Sequence, residues 1–574
     1  MSRLSEPPPS ATSAAHPTGT GGVRVPYSRR AFLSTASLAV AGLAIGARRL
    51  SAAELATGIA PSALLPDPVD VTMLQSLAMH AIDAAKSAGA TYADIRVAAS
   101  QYFVVGKAPG GPLEFWAGAD VLFGFGVRVL VNGGWGFVHG DVPSIDAVTT
   151  AARGAVTQAT NAAKAGTARA EYVPAAVATG EWHVPMAIDP FAVPLHEQMA
   201  LIRSWMDTAG AVWRVGSVPY LSWHRETRVF ASTDGSLTTQ HFHRANPQLE
   251  ISGGRMMGGG GPNASVGLAV PSVYATAGGY ETVARESIHE EIKATAEEVR
   301  RLATLEGRTF DVGRYPVVLD GATFGALLFS TVGRALELDR VLGDEADASG
   351  TSYLSPPTAK LGTPVFSSAL TLSTDRALPS VTSVKWDDEG VEPVAGPLIT
   401  AGQLVDYETS RQTVGALQPW YQQQNRPLAS RGRAVAPAAD NPVQIRCGHL
   451  TVAPSTSAAT IDDLIRDMPR GLVVRSGYWI STDQQLSTGN VNSYYALVLE
   501  VQKGRIVRRI KDAALEWSTV PFLKQLLAVG DASTVVHATG ESYKGVPWHA
   551  AEYHTTAPAA LFKEVNLIDI GRPI

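Results

Sequence analysis

Two hydrophobic periods alternate along the first half of the chain. "DVTMLQSLAMHAIDAAKSAGA" (70–90) carries apolar residues at helical spacing behind Asp70, a cap candidate, and closes near Gly89. "YADIRVAAS" (92–100) reads as a strand. "FGFGVRVLVNGGWGFVHGD" (123–141) is two β-rich runs around Asn132-Gly133, a preferred type I′ hairpin turn. Helical spacing returns in the Ala-rich run 144–166 and in 195–209. "YLSWHRETRVFASTDGSLTTQHFHR" (220–244) alternates around Asp234-Gly235 and predicts a second hairpin. A charged amphipathic helix over 280–304 closes this half. The pattern is that of helices packed on antiparallel strands.

From about 361 onward most runs read as strand. One helix interrupts at 460–468, where Thr460 and Asp463 are spaced as a capping box. The predicted fold class is α+β. The predicted division is a leader over 1–53, an α+β unit over 66–305 and a β-dominated unit over 306–574. Within the last, "GALLFSTVGRALELD" (325–339) has Leu327, Leu328, Val332 and Leu336 at helical spacing. Phe329, Ser330 and Arg334 interrupt it without forming an obvious set.

Composition narrows the function classes. A chain of 574 residues exceeds one compact core. Its net charge of −5, with no long basic tract beyond the N-terminus, predicts no nucleic-acid partner. A single cysteine, Cys447, rules out an intramolecular disulfide and a multi-cysteine metal site.

Residues 1–27 have a disordered composition. Arg29-Arg30, then Phe32-Leu33 and a weakly apolar stretch to Ala47, resemble a twin-arginine export signal, with small residues for cleavage at 51–53. The expected location is periplasmic or extracellular, with no stable membrane span after cleavage. The alternative for the same stretch is an uncleaved anchor, for which it is short.

Two tempting motifs carry no chemistry. "ISGGRMMGGGGPNAS" (251–265) lacks the Lys-Ser/Thr of a phosphate loop and reads as a flexible connection. His289-Glu290 opens like a zinc helix, but Lys293 and Ala294 stand where a second histidine would be needed.

Seven stretches, in order, resemble the TldD/PmbA peptidase family. They are "YADIRV", "GFGVRVLVNGGWGF", "GRYPVVLDGATFGALL", "GTSYLS", "WDDEGVEP" with "LITAGQLVDYETSR", "GYWISTDQQLSTGNVNSYYAL" and "FKEVNLIDIG". The resemblance implies a zinc metallopeptidase framework. Its helix carries His-Glu-x-x-x-His, and a downstream cysteine is the third ligand. Three ligands leave one zinc position for water, whose proton the glutamate takes. Histidines five apart diverge on an ideal helix, so they can share one metal only where the helix is distorted.

On this resemblance, Phe329 stands at the first histidine position, Ser330 at the glutamate and Arg334 at the second histidine. Ser542, in "GESYKGVP", stands at the cysteine. Cys447 lies in another block. A unit positive charge about 4 Å from a divalent ion repels it by roughly 8 kcal/mol at an effective dielectric near 20. No catalytic residue, cofactor or metal is therefore expected in this chain. PmbA-type members also lack the motif and resemble partners of the metal-bearing TldD-type chain. The implied role is a pseudo-peptidase subunit, paired with a zinc-bearing paralogue or with itself and acting on unfolded peptides.

Two alternatives stand beside it. One is a peptide-binding or scaffold protein with no catalytic partner. The other is a peptidase with a relocated metal site at His549, Glu552 and His554. The degenerate helix carries further expectations. Phe329 should be buried in the space of the lost imidazole and ion. Arg334 should find an anion in Glu337, Asp339 or the acidic stretch 344–347, or else solvent. The Trp- and Tyr-containing strands around 478–501 are the expected interface.

Overall fold

Hairpin geometry organises the N-terminal half. In a computed structural model of the protein, described for residues 58–107, 115–166, 172–213, 219–253, 266–546 and 548–571, Asn132 and Gly133 both take positive φ and join two long strands. The twin-arginine stretch and most of the glycine-rich loop lie outside the described residues. Helix α1 (Val71–Ser87) leads into β1 (Tyr92–Lys107), β2 (Phe115–Val131) and β3 (Gly134–Gly140). Then follow α2 (Ile145–Lys164), β4 (Thr179–His183), α3 (Leu195–Val212), β5 (Tyr220–Ser232) and β6 (Leu237–Gln248). The sheet order is β3-β2-β1-β5-β6-β4, antiparallel except for β4, which runs parallel to β6 at the edge.

Helices α1 and α2 cover this sheet, burying Leu74, Leu77, Val148 and Ala155 against Ile95, Val127 and Val129. Contact is close: a Cβ on Gly136 would lie 2.1 Å from the Ala155 carbonyl oxygen. Asp70 caps α1 by accepting from the Thr72 N–H, and Ser144 caps α2 through the Ala147 N–H. Helix α4 (Ser287–Ala303) buries Ile288, Ile292, Val299 and Leu302 and leaves its charged face outward.

The second half holds a ten-stranded and a six-stranded sheet. In one, Gly313–Leu319 lies between Arg470–Arg475 and Ala560–Asp569. In the other, Leu372–Asp375, His449–Val452, His549–Ala557 and Val536–Lys544 are successive neighbours. Helix α5 (Gly321–Leu328) packs against strands of both. The boundary read near residue 305 is crossed by a shared core, in which Phe103, Trp205 and Trp223 belong to one cluster with Val318, Val473 and Leu499. Buried ion pairs cross it too. Arg128 on β2, held within the first sheet by Asp94 at 2.6 Å, meets Glu389 at 3.0 Å, and Arg228 on β5 meets Asp388 at 2.9 Å. The "WDDEG" block thus ties the first sheet to the second half. Among the described residues, no helix is long and apolar enough to cross a membrane.

Candidate functional site

Asp320 caps α5, accepting from the Thr323 N–H at 2.8 Å and the Thr323 hydroxyl at 2.7 Å. The helix then changes character. Phe329–Gly333 is a π-turn, closed by the Arg334 N–H donating to the Phe329 carbonyl, and Arg334–Leu336 is a 3₁₀ turn. An i→i+5 bond sets residues 329 and 334 one above the other, which an α-helix does not do. The distortion that a His-x-x-x-x-His pair needs is present, with other side chains on it. Tyr353 donates to the Thr331 carbonyl at 3.0 Å and supports the turn.

Helical structure does not continue unbroken to 339 as its spacing predicts. Glu337 is extended, with ψ of 112°, and a new helix covers Leu338–Leu342. Long-range pairing overrides the local pattern. The Glu408 N–H donates to the Leu336 carbonyl at 2.9 Å, and the Leu338 N–H donates to that of Glu408 at 3.0 Å.

Phe329 is 3% exposed, and its ring lies on Tyr553 with centroids 3.5 Å apart and planes 5° from parallel. Ser330 is half-buried. The Arg334 Nε is buried without a hydrogen-bond partner. Burial, Arg340 and Arg446 lower its pKa to about 10, against the pull of Glu337. Of the anions expected to pair with it, Glu337, Asp339 and Glu345 are engaged elsewhere. Lys544 donates to Glu337 at 2.8 Å and to Asp339 at 2.6 Å. Glu345 accepts from Gln444 at 3.1 Å and from the Gly545 N–H at 3.2 Å. Among the described residues, no carboxylate pairs with Arg334.

Ser542 is buried on Val536–Lys544, paired with Ala551 on the strand that carries Tyr553. Its carbonyl accepts from Arg446 at 3.0 Å. Cys447, distant in sequence, is nonetheless at the turn: a Cβ on Gly333 would lie 3.0 Å from its sulfur. Burial, then Glu408 and Glu337, push its pKa well up, which keeps the thiol protonated. An apolar ring, an arginine, a hydroxyl and a neutral thiol do not fit zinc, so the turn offers such an ion no donor set.

His549, Glu552 and His554 lie on one strand, His549–Ala557, rather than in a loop. Residues five apart on a strand face opposite sides, so His549 and His554 do not converge. His554 instead stacks on His449 at 4.2 Å, and its Nε2 lies 3.4 Å from His537 Nδ1. Burial foremost, then His449 and His537, push its pKa down to about 3.

A cleft of about 870 Å³ opens beside the helix, lined by Ala322, Ala326, His537 and Tyr553 and, at its mouth, Tyr478 and Tyr495. The segment expected as an interface divides. Tyr478, Trp479, Tyr494 and Tyr495 are exposed, whereas Leu497–Gln502 is an inner, mostly buried strand. The large exposed apolar side chains of this segment are thus on the aromatic loops. Sequence reasoning also missed Glu181, His183 and His241, which the fold brings within ligand reach of one point. The alternating "EWH" and "HFH" were the signals.

The framework is an α+β fold packed around a distorted helix. The family profile described as "PmbA/TldA metallopeptidase C-terminal domain" matches residues 312–569, and that described as "PmbA/TldA metallopeptidase domain 1" matches 116–159. A "Metalloprotease" of Methanothermobacter thermautotrophicus is 25% identical over 493 residues, 83% of this chain and 96% of its own. One of Archaeoglobus fulgidus is 22% identical over 403 residues, 70% of this chain and 83% of its own. The crystal structure of TldE from Thermococcus kodakarensis is similar in fold, with a TM-score of 0.60 at 14% identity, covering 85% of this chain and 98% of that one. The chain belongs to the TldD/PmbA family.

Proposed function

We propose that this chain is an exported, non-catalytic subunit that pairs with a zinc-bearing paralogue and supplies part of the chamber around that partner's site. The observation carrying this reading is the Phe329–Tyr553 stack on the π-turn. The geometry for two ligands is kept, and its space is filled with an aromatic ring. Burying such a ring stabilises by about 1.5–3 kcal/mol, so the turn holds without metal. Arg334 adds a positive charge that opposes a cation. The cleft beside the helix and the exposed aromatic loops at its mouth suit a shared wall.

Co-expression with the paralogue should yield one species of heterodimer mass, with peptidase activity absent from either chain alone. A chain that stays monomeric and ignores the paralogue at micromolar concentration overturns this reading and leaves the peptide-binding alternative. Export is tested separately: replacing Arg29-Arg30 by Lys-Lys should hold the protein in the cytoplasm.

A further inference from the structure

A second set of donor atoms lies at the rim of the first sheet. Edge strand β4 pairs in parallel with β6, from Thr179↔Leu237 to His183↔His241. Residues two apart on a strand share a face, so Glu181 and His183 project together, and the register sets His241 alongside. The two imidazoles stack with centroids 4.2 Å apart and planes 6° from parallel. Both present Nε2 to the same carboxylate oxygen: Glu181 Oε1 is 2.7 Å from His241 and 3.2 Å from His183. One donor atom from each residue lies within 4.8 Å of the others.

The surroundings suit a ligand set. His241 Nδ1 is 3.1 Å from the Thr227 hydroxyl. Without an ion, His241 Nε2–H donates to Glu181 and Nδ1 accepts from Thr227. With the proton on Nδ1 and donated to the Thr227 hydroxyl, the Nε2 lone pair is released for an ion, the outer support that metal-bound histidines commonly have. Zinc takes nitrogen and oxygen at about 2.0–2.2 Å, which puts tetrahedral donors about 3.4 Å apart. Glu181 Oε1 already lies 2.7 and 3.2 Å from the two imidazoles, and the Glu181 and His183 side chains, 54% and 63% exposed, have room to adjust. One carboxylate and two neutral imidazoles give the set a single negative charge and leave a fourth position for water. Imidazole donors favour zinc, nickel or copper over magnesium and calcium.

We propose that Glu181, His183 and His241 form a surface site for a divalent transition-metal ion of the zinc class. It joins β4 to β6 and is separate from the degenerate helix. Bound there, the ion clamps a five-residue edge strand that is otherwise largely exposed.

The test uses the whole mature chain, stripped with a chelator and titrated with zinc, with cobalt absorption as a second readout. One equivalent should bind. His183→Ala and His241→Gln should each weaken binding at least tenfold, as loss of one of three ligands requires. His549→Ala should leave binding unchanged, as should His554→Gln. If His241→Gln fails to fold, the exposed His183→Ala carries the test alone. No zinc uptake by the native chain, or uptake unaltered by His183→Ala, overturns the site.

Discussion

The π-turn at Phe329–Gly333 and the rim of the first sheet at Glu181, His183 and His241 are complementary failures and successes of metal-site construction. The turn has the alignment but no donors. It is buried, carries Arg334 and lies among Arg340 and Arg446. The rim has donors and an anion but little burial, because an edge strand supplies two of its three residues. The contrast teaches that backbone geometry and ligand chemistry are held by separate forces. The turn is kept by packing and by bonds from Tyr353 and Glu408, none of which needs an ion. At the rim, register alone assembles the donors.

The strongest way to break the contrast is to remove what holds the end of the turn. Lys544→Met removes the ammonium that two buried carboxylates share, leaving Glu337 with Arg340 at 3.8 Å and Asp339 with backbone N–H donors alone. It should cost about 3–5 kcal/mol in denaturant unfolding. A loss below about 1 kcal/mol would show that the pair does not anchor this segment. Next comes Phe329→Ala, which empties the stack on Tyr553 and should cost about 3 kcal/mol. A near-neutral result would mean that the ring is not the filler of the degenerate site.

A third measurement sharpens the comparison with imidazoles buried without an ion. The folded pKa of His554 lies near 3, below the ordinary 6.5. Between these values the unfolded chain binds more protons, so stability falls as pH drops below 6.5. The loss reaches about 2 kcal/mol at pH 5. Asp387, raised by burial beside Glu389, gives a slope of the opposite sign. The quantity to read is therefore the difference between the native chain and His554→Gln. Parallel pH profiles for the two would refute the assignment. The smallest effect is expected from Arg334→Met. Replacing an unpartnered, largely buried cation by an apolar side chain should stabilise by about 1 kcal/mol. Destabilisation by that much would reveal an anion partner.

Much of this architecture was legible locally. Asn132-Gly133 and Asp234-Gly235 gave their hairpins, and the Thr460–Asp463 capping box forms, although that helix ends at Ile465. Strand β1 runs on to Lys107 because residues 101–107 are nearly all buried, where alternation gives no cue. The positions Phe329, Ser330 and Arg334 were legible only through a family likeness. The rest depends on pairing between distant segments. Glu408 ends the helix at Leu336, Cys447 reaches Gly333, and His241 meets a glutamate 60 positions earlier. No window of sequence contains those encounters.

The π-turn also sets a rule of length. It accommodates one residue more than the α-turn it replaces. Deleting Thr331 would let the helix close as ordinary α with the residues after it nearly in place, whereas one more residue, which no turn absorbs, would rotate everything after it by about 100°. Glu337 and Asp339 would then swing away from Lys544, and Leu336 away from Glu408. The stretch from Asp320 to Glu337 already carries its one spare residue in the turn and has no room for another.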